Sequence, residues 1–197
     1  MISFWWIRHA PVKGNNECCY GNDEVDCDLS DVASFNRLVA KLPKGSNVFS
    51  SHLSRTIRTF EATVNAGYIY NSHSIDRRLT EQDLGSYSGM KYKDLYDLTK
   101  KLGVYDNNWL MQPHFKAPEG ESFKDLYTRV ESFINEKLLE KNDENLVIFS
   151  HGGPIRAAIS LAMGNGFETI LPLEIDNSKL TRIDYINNNW KVIKVNC

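Results

Sequence analysis

The chain has 197 residues, a formal net charge of −2, and 42% hydrophobic and 24% charged residues, the usage of an ordinary soluble fold rather than of a disordered or fibrous chain. That length favours one domain over two, so a single α/β core must carry its own site. The near-neutral balance gives no general attraction to nucleic acid or an anionic membrane, and an anionic ligand needs a local pocket of positive potential.

Residues 2–7 are a short apolar run rich in aromatics, which predicts a strand buried on both faces and ending at Arg8 and His9. After a loop holding Pro11, Gly14 and Gly21, the spacing of Val32, Phe35, Leu38, Val39 and Leu42 predicts a helix with Ser30 as N-cap. Residues 47–50 read as a second strand. Ile57, Phe60 and Val64 mark one face of the helix that follows it, with Arg55 at the junction. Residues 75–118 hold Gly85, Gly89, Gly103 and Pro113 among Tyr87, Tyr92, Tyr96 and Trp109. A mostly helical stretch is expected there, with 87–118 covering the site. Ser122 and Asp125 form a capping box for a helix whose Leu126, Val130, Phe133, Ile134 and Leu138 share a face. Residues 146–149 predict a third buried strand. It runs into Ser150-His151-Gly152-Gly153-Pro154, where Pro154 suits the first turn of a helix continued by Ile155, Ala158, Ile159 and Ala162. Residues 180–186 and 190–195, separated by three asparagines, read as a β-hairpin.

Strands alternating with helices predict an α/β fold, a three-layer αβα sandwich with a mostly parallel sheet, in one domain over residues 1–197. Ligands of such sheets bind beyond the carboxyl ends of the strands. That rule gathers Arg8 and His9, residues 51–55, and residues 151–153 at one sheet edge. Singly, each has a structural explanation: a lone histidine is usually a satisfied core residue and an arginine a surface ion pair. Convergence of all three at separate strand ends favours chemistry.

The residue types suit phosphoryl transfer, which needs cations around the equatorial oxygens, an in-line nucleophile and an acid for the departing alkoxide. Arg8 and Arg55 can each give paired bonds to phosphate oxygens. His151, just before a Gly-Gly-Pro helix start, can grip another. His9 is the candidate nucleophile, its second ring nitrogen held by a backbone carbonyl in the loop after it. Glu81 is the candidate general acid, in a run where Asp83 is the fallback. His52, His73 and His114 have no comparable setting.

These residues resemble the histidine phosphatase superfamily, also called phosphoglycerate-mutase-like, over nearly the whole chain. Arg8-His9-Ala10 is similar to its Arg-His-Gly opening, with Ala10 in place of Gly, and Ser50-Ser51-His52-Leu53-Ser54-Arg55 to its Ser-Ser-x-x-x-Arg segment. Glu81 with Leu84-Gly85 and Ser88-Gly89 resembles the acid segment, and Ser150-His151-Gly152-Gly153 the second histidine motif. The resemblance implies a phosphorylated His9, proton donation by Glu81, a phosphate pocket of Arg8, Arg55 and His151, and no metal. Tyr20-Gly21 before Leu29-Ser30, with residues 118–122, resembles the small phosphatase branch that includes α-ribazole phosphatase. Asn15 loosely matches a family asparagine, and Asn15, Tyr20, Gly21 and Gly152 join as substrate-binding candidates.

The activity expected is hydrolysis of a small phosphate monoester. The alternatives are a mutase-like phosphotransferase, a protein-phosphohistidine phosphatase and a non-catalytic phosphate-binding protein; the short interval from Gly89 to Pro118 leaves little room for the insertions of the mutases. The expected partner is a small phosphorylated substrate, with no nucleic acid and no membrane, and a homodimer is the candidate assembly. Cys18, Cys19, Cys27 and Cys197 lack the paired spacing of a zinc site and read as thiols, so no cofactor is expected. No stretch approaches the about 20 apolar residues of a membrane span, nor does residue 1 open a secretory signal, and a cytoplasmic location is the expectation.

Overall fold

The computed structural model describes residues 1–14, 17–140 and 145–197. In chain order its main elements are β1 (Ile2–Arg8), α1 (Val32–Lys41), β2 (Ser46–Ser50), α2 (Ser54–Asn65), β3 (Tyr70–Ile75), α3 (Tyr92–Lys101), α4 (Phe123–Leu139), β4 (Asn145–Ser150), α5 (Gly152–Met163), β5 (Leu180–Ile186) and β6 (Asn189–Lys194). The strands form one sheet in the order β3-β2-β4-β1-β5-β6. The first four run parallel, while β5 pairs antiparallel with both β1 and β6.

Apolar side chains alternate across the two central strands. Ile2, Phe4 and Trp6 of β1, with Leu146 and Ile148 of β4, pack on Phe123, Leu126, Val130 and Phe133 of α4 and on Ile155 and Ile159 of α5. Ile7, Val147 and Phe149 face the other way, onto Phe35 and Leu38 of α1 and Phe60 of α2. Each fully buried Phe or Ile in these layers contributes about 1.5–3 kcal/mol. The two layers together hold the parallel strands in one register, with Arg8 opposite Ser150. The β5–β6 turn is made by Asn187 and Asn188, both at positive φ (50 and 62), the left-handed pair that a two-residue hairpin turn requires and asparagine tolerates.

Several local expectations are corrected. The N-cap of α1 is Asp31, whose side chain accepts from Ser34 N, while Ser30 N is itself bound to Asp28. On α2 the buried face is Arg55, Thr56, Thr59, Phe60 and Thr63, and Ile57 and Val64 are only partly buried. The threonines can be buried because their hydroxyls donate back to carbonyls: Thr59 Oγ1 to Arg55 O at 2.6 Å and Thr63 Oγ1 to Thr59 O at 2.8 Å. β3 escaped the sequence pattern because it is an edge strand with polar, mostly exposed side chains. Residues 75–118 are less helical than expected: α3 and two short 3-10 turns, Arg77–Leu79 and Gly85–Tyr87, are their helical parts, since Gly103, Pro113 and Pro118 interrupt the rest. Among the described residues no helix is long and apolar enough to cross a membrane.

Candidate active site

The ends of β1, β2 and β4 bring the predicted residues together. His9 N donates to Ser150 O at 3.0 Å and Ser51 N to Phe149 O at 3.1 Å, so the ladder continues one residue past the strands and fixes the start of each loop. The His9 and His151 rings lie 5.1 Å apart, and both are fully buried.

Their hydrogen bonds set opposite tautomers. His9 Nδ1 is 2.7 Å from its neighbour's carbonyl, Ala10 O; a carbonyl only accepts, so Nδ1 carries the proton and Nε2 keeps its lone pair. Ala10 N donates to Thr59 Oγ1 at 2.8 Å and Asn177 Nδ2 to His9 O at 2.8 Å, which pins this segment. Ala10 fits where the family has glycine because it is not at positive φ. On His151 the roles reverse. Arg55 Nε donates to His151 Nδ1 at 3.3 Å, which leaves the proton on Nε2. Burial, reinforced by the Arg55 guanidinium, holds both imidazoles well below the ordinary 6.5, so both are neutral at neutral pH. His9 Nε2, His151 Nε2 and Arg8 Nε are buried without a hydrogen-bond partner in the protein, as are Ser3 Oγ, Trp6 Nε1 and Ser160 Oγ elsewhere; the first three gather at the ends of β1 and β4.

The arginines are more committed to the protein than free forks are. Arg55 is fully buried, and besides His151 it binds Asp23 O through Nη1 at 2.6 Å and Gly21 O through Nη2 at 2.8 Å. Its guanidinium carbon sits 5.1 Å from the Tyr20 ring centre, and that ring also meets His9 edge-on at 6.5 Å. Gly21 is at φ +43, and a Cβ there would stand 2.7 Å from Gln82 O, so glycine alone allows this turn to receive Arg55. Arg8 donates through Nη1 to Ile175 O.

Glu81 occupies the start of α5. Its Oε1 accepts from Gly153 N at 3.0 Å and from Gln82 N at 3.1 Å. The sequence suggested that this helix start would attract a phosphate; the group placed there is the Glu81 carboxyl, and a Cβ on Gly153 would come 2.4 Å from its Oε1. Asp83, the fallback acid, instead accepts from Gly85 N at 2.8 Å. A pocket of about 360 Å³ opens beside Glu81, with Arg8, Tyr20, Gly21 and Gly152 also in its walls. Asn15 lies outside the described residues.

Sequence reasoning missed Tyr92 and Arg156, which line the same pocket together with Trp109, an aromatic that the sequence leaves open between core and pocket wall. Arg156 donates through Nε to Leu173 O at 2.7 Å, and its guanidinium carbon lies 4.7 Å from the Trp109 ring centre. The point a Cβ on Gly152 would occupy is 3.0 Å from Arg156 Nη1 and 3.8 Å from both Arg8 Nε and Glu81 Oε2, so two guanidinium groups and a carboxyl converge over this glycine. Burial lowers the Arg156 pKa to about 10, which leaves it cationic at neutral pH. The available signal was one charged residue inside the buried run 152–160. Cys19 also touches the pocket, but its thiol donates to the Tyr87 and Met90 carbonyls and burial pushes its pKa up to about 11, so it is no nucleophile. Among the described residues no group of three His, Cys, Asp or Glu side chains gathers to hold a metal.

The sequence profile of the histidine phosphatase superfamily (branch 1) matches residues 4–197. The chain belongs to the histidine phosphatase superfamily. Within it, a 2,3-bisphosphoglycerate-dependent phosphoglycerate mutase of Mesorhizobium japonicum is 31% identical over 179 residues, covering 86% of this chain and 85% of that protein. Phosphoserine phosphatase 1 of Hydrogenobacter thermophilus is 24% identical, covering 100% of this chain and 92% of that one. Among solved structures, the α-ribazole phosphatase from Shigella flexneri superposes with a TM-score of 0.82 at 21% identity, over 99% of this chain and 96% of that chain, a likeness of fold. The chain thus shares a phosphoglycerate-mutase-like α/β architecture with relatives whose names cover different substrates.

Proposed function

We propose that this chain is a phosphatase that hydrolyses a small phosphate monoester through a covalent phosphohistidine on His9. The phosphoryl group sits against Arg8, Arg55 and the Nε2–H of His151, and the Nε2 lone pair of His9 attacks phosphorus. As the N–P bond forms, the P–O bond to the alcohol breaks, and the leaving oxygen takes a proton from the Glu81 carboxyl. Water then attacks phosphorus, returns a proton to the Glu81 carboxylate and releases inorganic phosphate from His9. The observation that carries this reading is the pair of opposite tautomers, with His9 Nε2 unprotonated and unpartnered and the two rings 5.1 Å apart.

Arg156 supports a finer reading, an ester whose alcohol bears an acidic group close to the ester oxygen, because it stands beside the proposed proton donor. The names of the phosphoserine and phosphoglycerate relatives agree with such an alcohol. A mutase-type transfer is the second reading, favoured by the relative of that name. It differs only in the acceptor, an alcohol rather than water.

Turnover of p-nitrophenyl phosphate in excess chelator, with wild type and His9→Ala side by side, tests the proposal. Wild type is expected to keep its rate and His9→Ala to lose on the order of 10⁴-fold or more. Equal rates, or wild-type loss to the chelator, overturn it. Phosphoryl return to an added acid alcohol in preference to water establishes the mutase reading instead.

A further inference from the structure

We infer that Glu121 and Arg129 form a positioning pair that holds the Glu81 segment at the height needed for proton delivery, an inference that rests on Glu81 being the general acid. Arg129, from the second turn of α4, donates through Nε to Glu121 Oε2 at 3.1 Å and through Nη2 to Glu121 Oε1 at 2.6 Å. The same guanidinium donates to Arg78 O at 2.6 Å and to Glu81 O at 3.1 Å. Glu121 takes up the other side of the segment. Its Oε1 accepts from Asp83 N at 3.1 Å, its N donates to Asp83 O at 2.9 Å, and its O accepts from Gln82 Nε2 at 3.1 Å. The backbone on both sides of the acid is thus bound at Arg78, Glu81 and Asp83 by two side chains and one short stretch of main chain.

The pair has no other evident task. Its side chains are only 20% and 18% exposed, so this is not the solvated ion pair that contributes little. Both residues lie on the far side of Glu81 from the 360 Å³ pocket, lining with His52 and Asp83 a separate cavity of about 240 Å³. Neither lines the larger pocket, and their hydrogen bonds reach the Glu81 segment, while the Arg129 charge is near enough to His151 to help lower its pKa. The carboxylate itself hangs from Gly153 N on α5, so the acid is held between two helices: its head by α5, its backbone by the start of α4. Only a planar fork can serve Glu121 and two carbonyls at once, a task a lysine ammonium does not reproduce.

Leaving-group dependence separates this role from general stabilisation. For kcat/KM, an alkyl phosphate needs its departing oxygen protonated, whereas 2,4-dinitrophenyl phosphate does not. Arg129→Met, Arg129→Lys and Glu121→Gln are each expected to lower kcat/KM for the alkyl ester by about 30- to 100-fold and for the dinitrophenyl ester by less than about 3-fold, following part of the general-acid contribution. Glu81→Gln, run in parallel, should show the same selectivity more strongly. Equal losses on both esters, or no loss on the alkyl ester, overturn the positioning pair while Glu81→Gln stays selective. If Glu81→Gln treats both esters alike, the acid assignment itself falls. Glu121→Gln keeps the shape and the acceptor for Asp83 N, so it carries the test if the Arg129 variants fail to fold.

Discussion

The two ends of the site are built by different means. At the proposed phosphate end, His9 and His151 follow directly on parallel strands and Arg55 lies in the first turn of α2; all three are fully buried, with His9 Nδ1, His151 Nδ1 and the Arg55 guanidinium tied to main chain or to one another and both Nε2 atoms left without a protein partner. At the alcohol end, Tyr92, Trp109 and Arg156 come from the edge of α3, a turn and α5, and they meet through ring faces and single bonds such as Trp109 Nε1 to Gln82 Oε1 at 3.1 Å. On the proposed function, chemistry is mounted at the sheet edge and selectivity on the cover and α5, a division that would let one reaction serve many alcohols.

The largest effect expected from breaking that division comes from Arg55→Lys. A lysine cannot hold His151 Nδ1, Gly21 O and Asp23 O together, and kcat/KM should fall about 10²- to 10³-fold, equally for alkyl and aryl esters. Kinetics across a leaving-group series check this, and a loss confined to one ester class breaks the comparison. Arg156→Met is the converse probe. It should raise KM for a carboxylate-bearing ester such as phosphoserine by about 10- to 100-fold, the worth of a hydrogen bond to a charged group, and leave phenyl phosphate within about 2-fold. A uniform loss on both would move Arg156 to the phosphate end.

The smallest effect is on stability. The folded protein holds His9 and His151 below the ordinary 6.5 through burial and their neighbouring guanidinium groups, so below that pH the unfolded chain binds more protons than the folded one. Their contribution is therefore complete above about pH 6.5 and declines as the pH drops toward the folded values. Melting curves from pH 8 to 5 should show Tm level at first and then falling, by about 2–4 °C per kcal/mol, with a shallower fall in His9→Gln. A Tm that climbs on acidification between pH 7 and 5 contradicts the buried neutral pair.

The difference between the ends also explains what could be read from sequence. Residues at strand ends are legible because a buried apolar run announces where the strand stops, and Arg8, His9 and His151 sit at such stops. Arg55 was found although its helix face was misjudged, since three threonines that satisfy their own hydroxyls carry no hydrophobic period. The carbonyl holding His9 was anticipated in kind, and the structure names it as Ala10 O. Trp109, in a turn without period, could be read only as core or pocket lining, and Arg156 was not legible, because it looks like a stray charge on a buried helix until the fold stacks it on Trp109. β3 was lost for a similar reason, because an exposed edge strand has no core face to impose alternation.

The hydrogen bond from Gly153 N to the Glu81 carboxyl joins that side chain to α5, the helix whose N-cap is His151. The head of that side chain is therefore tied to α5 while its backbone is tied to Arg129 of α4, so the angle at which it meets the His151 loop is set by how these two helices pack on each other.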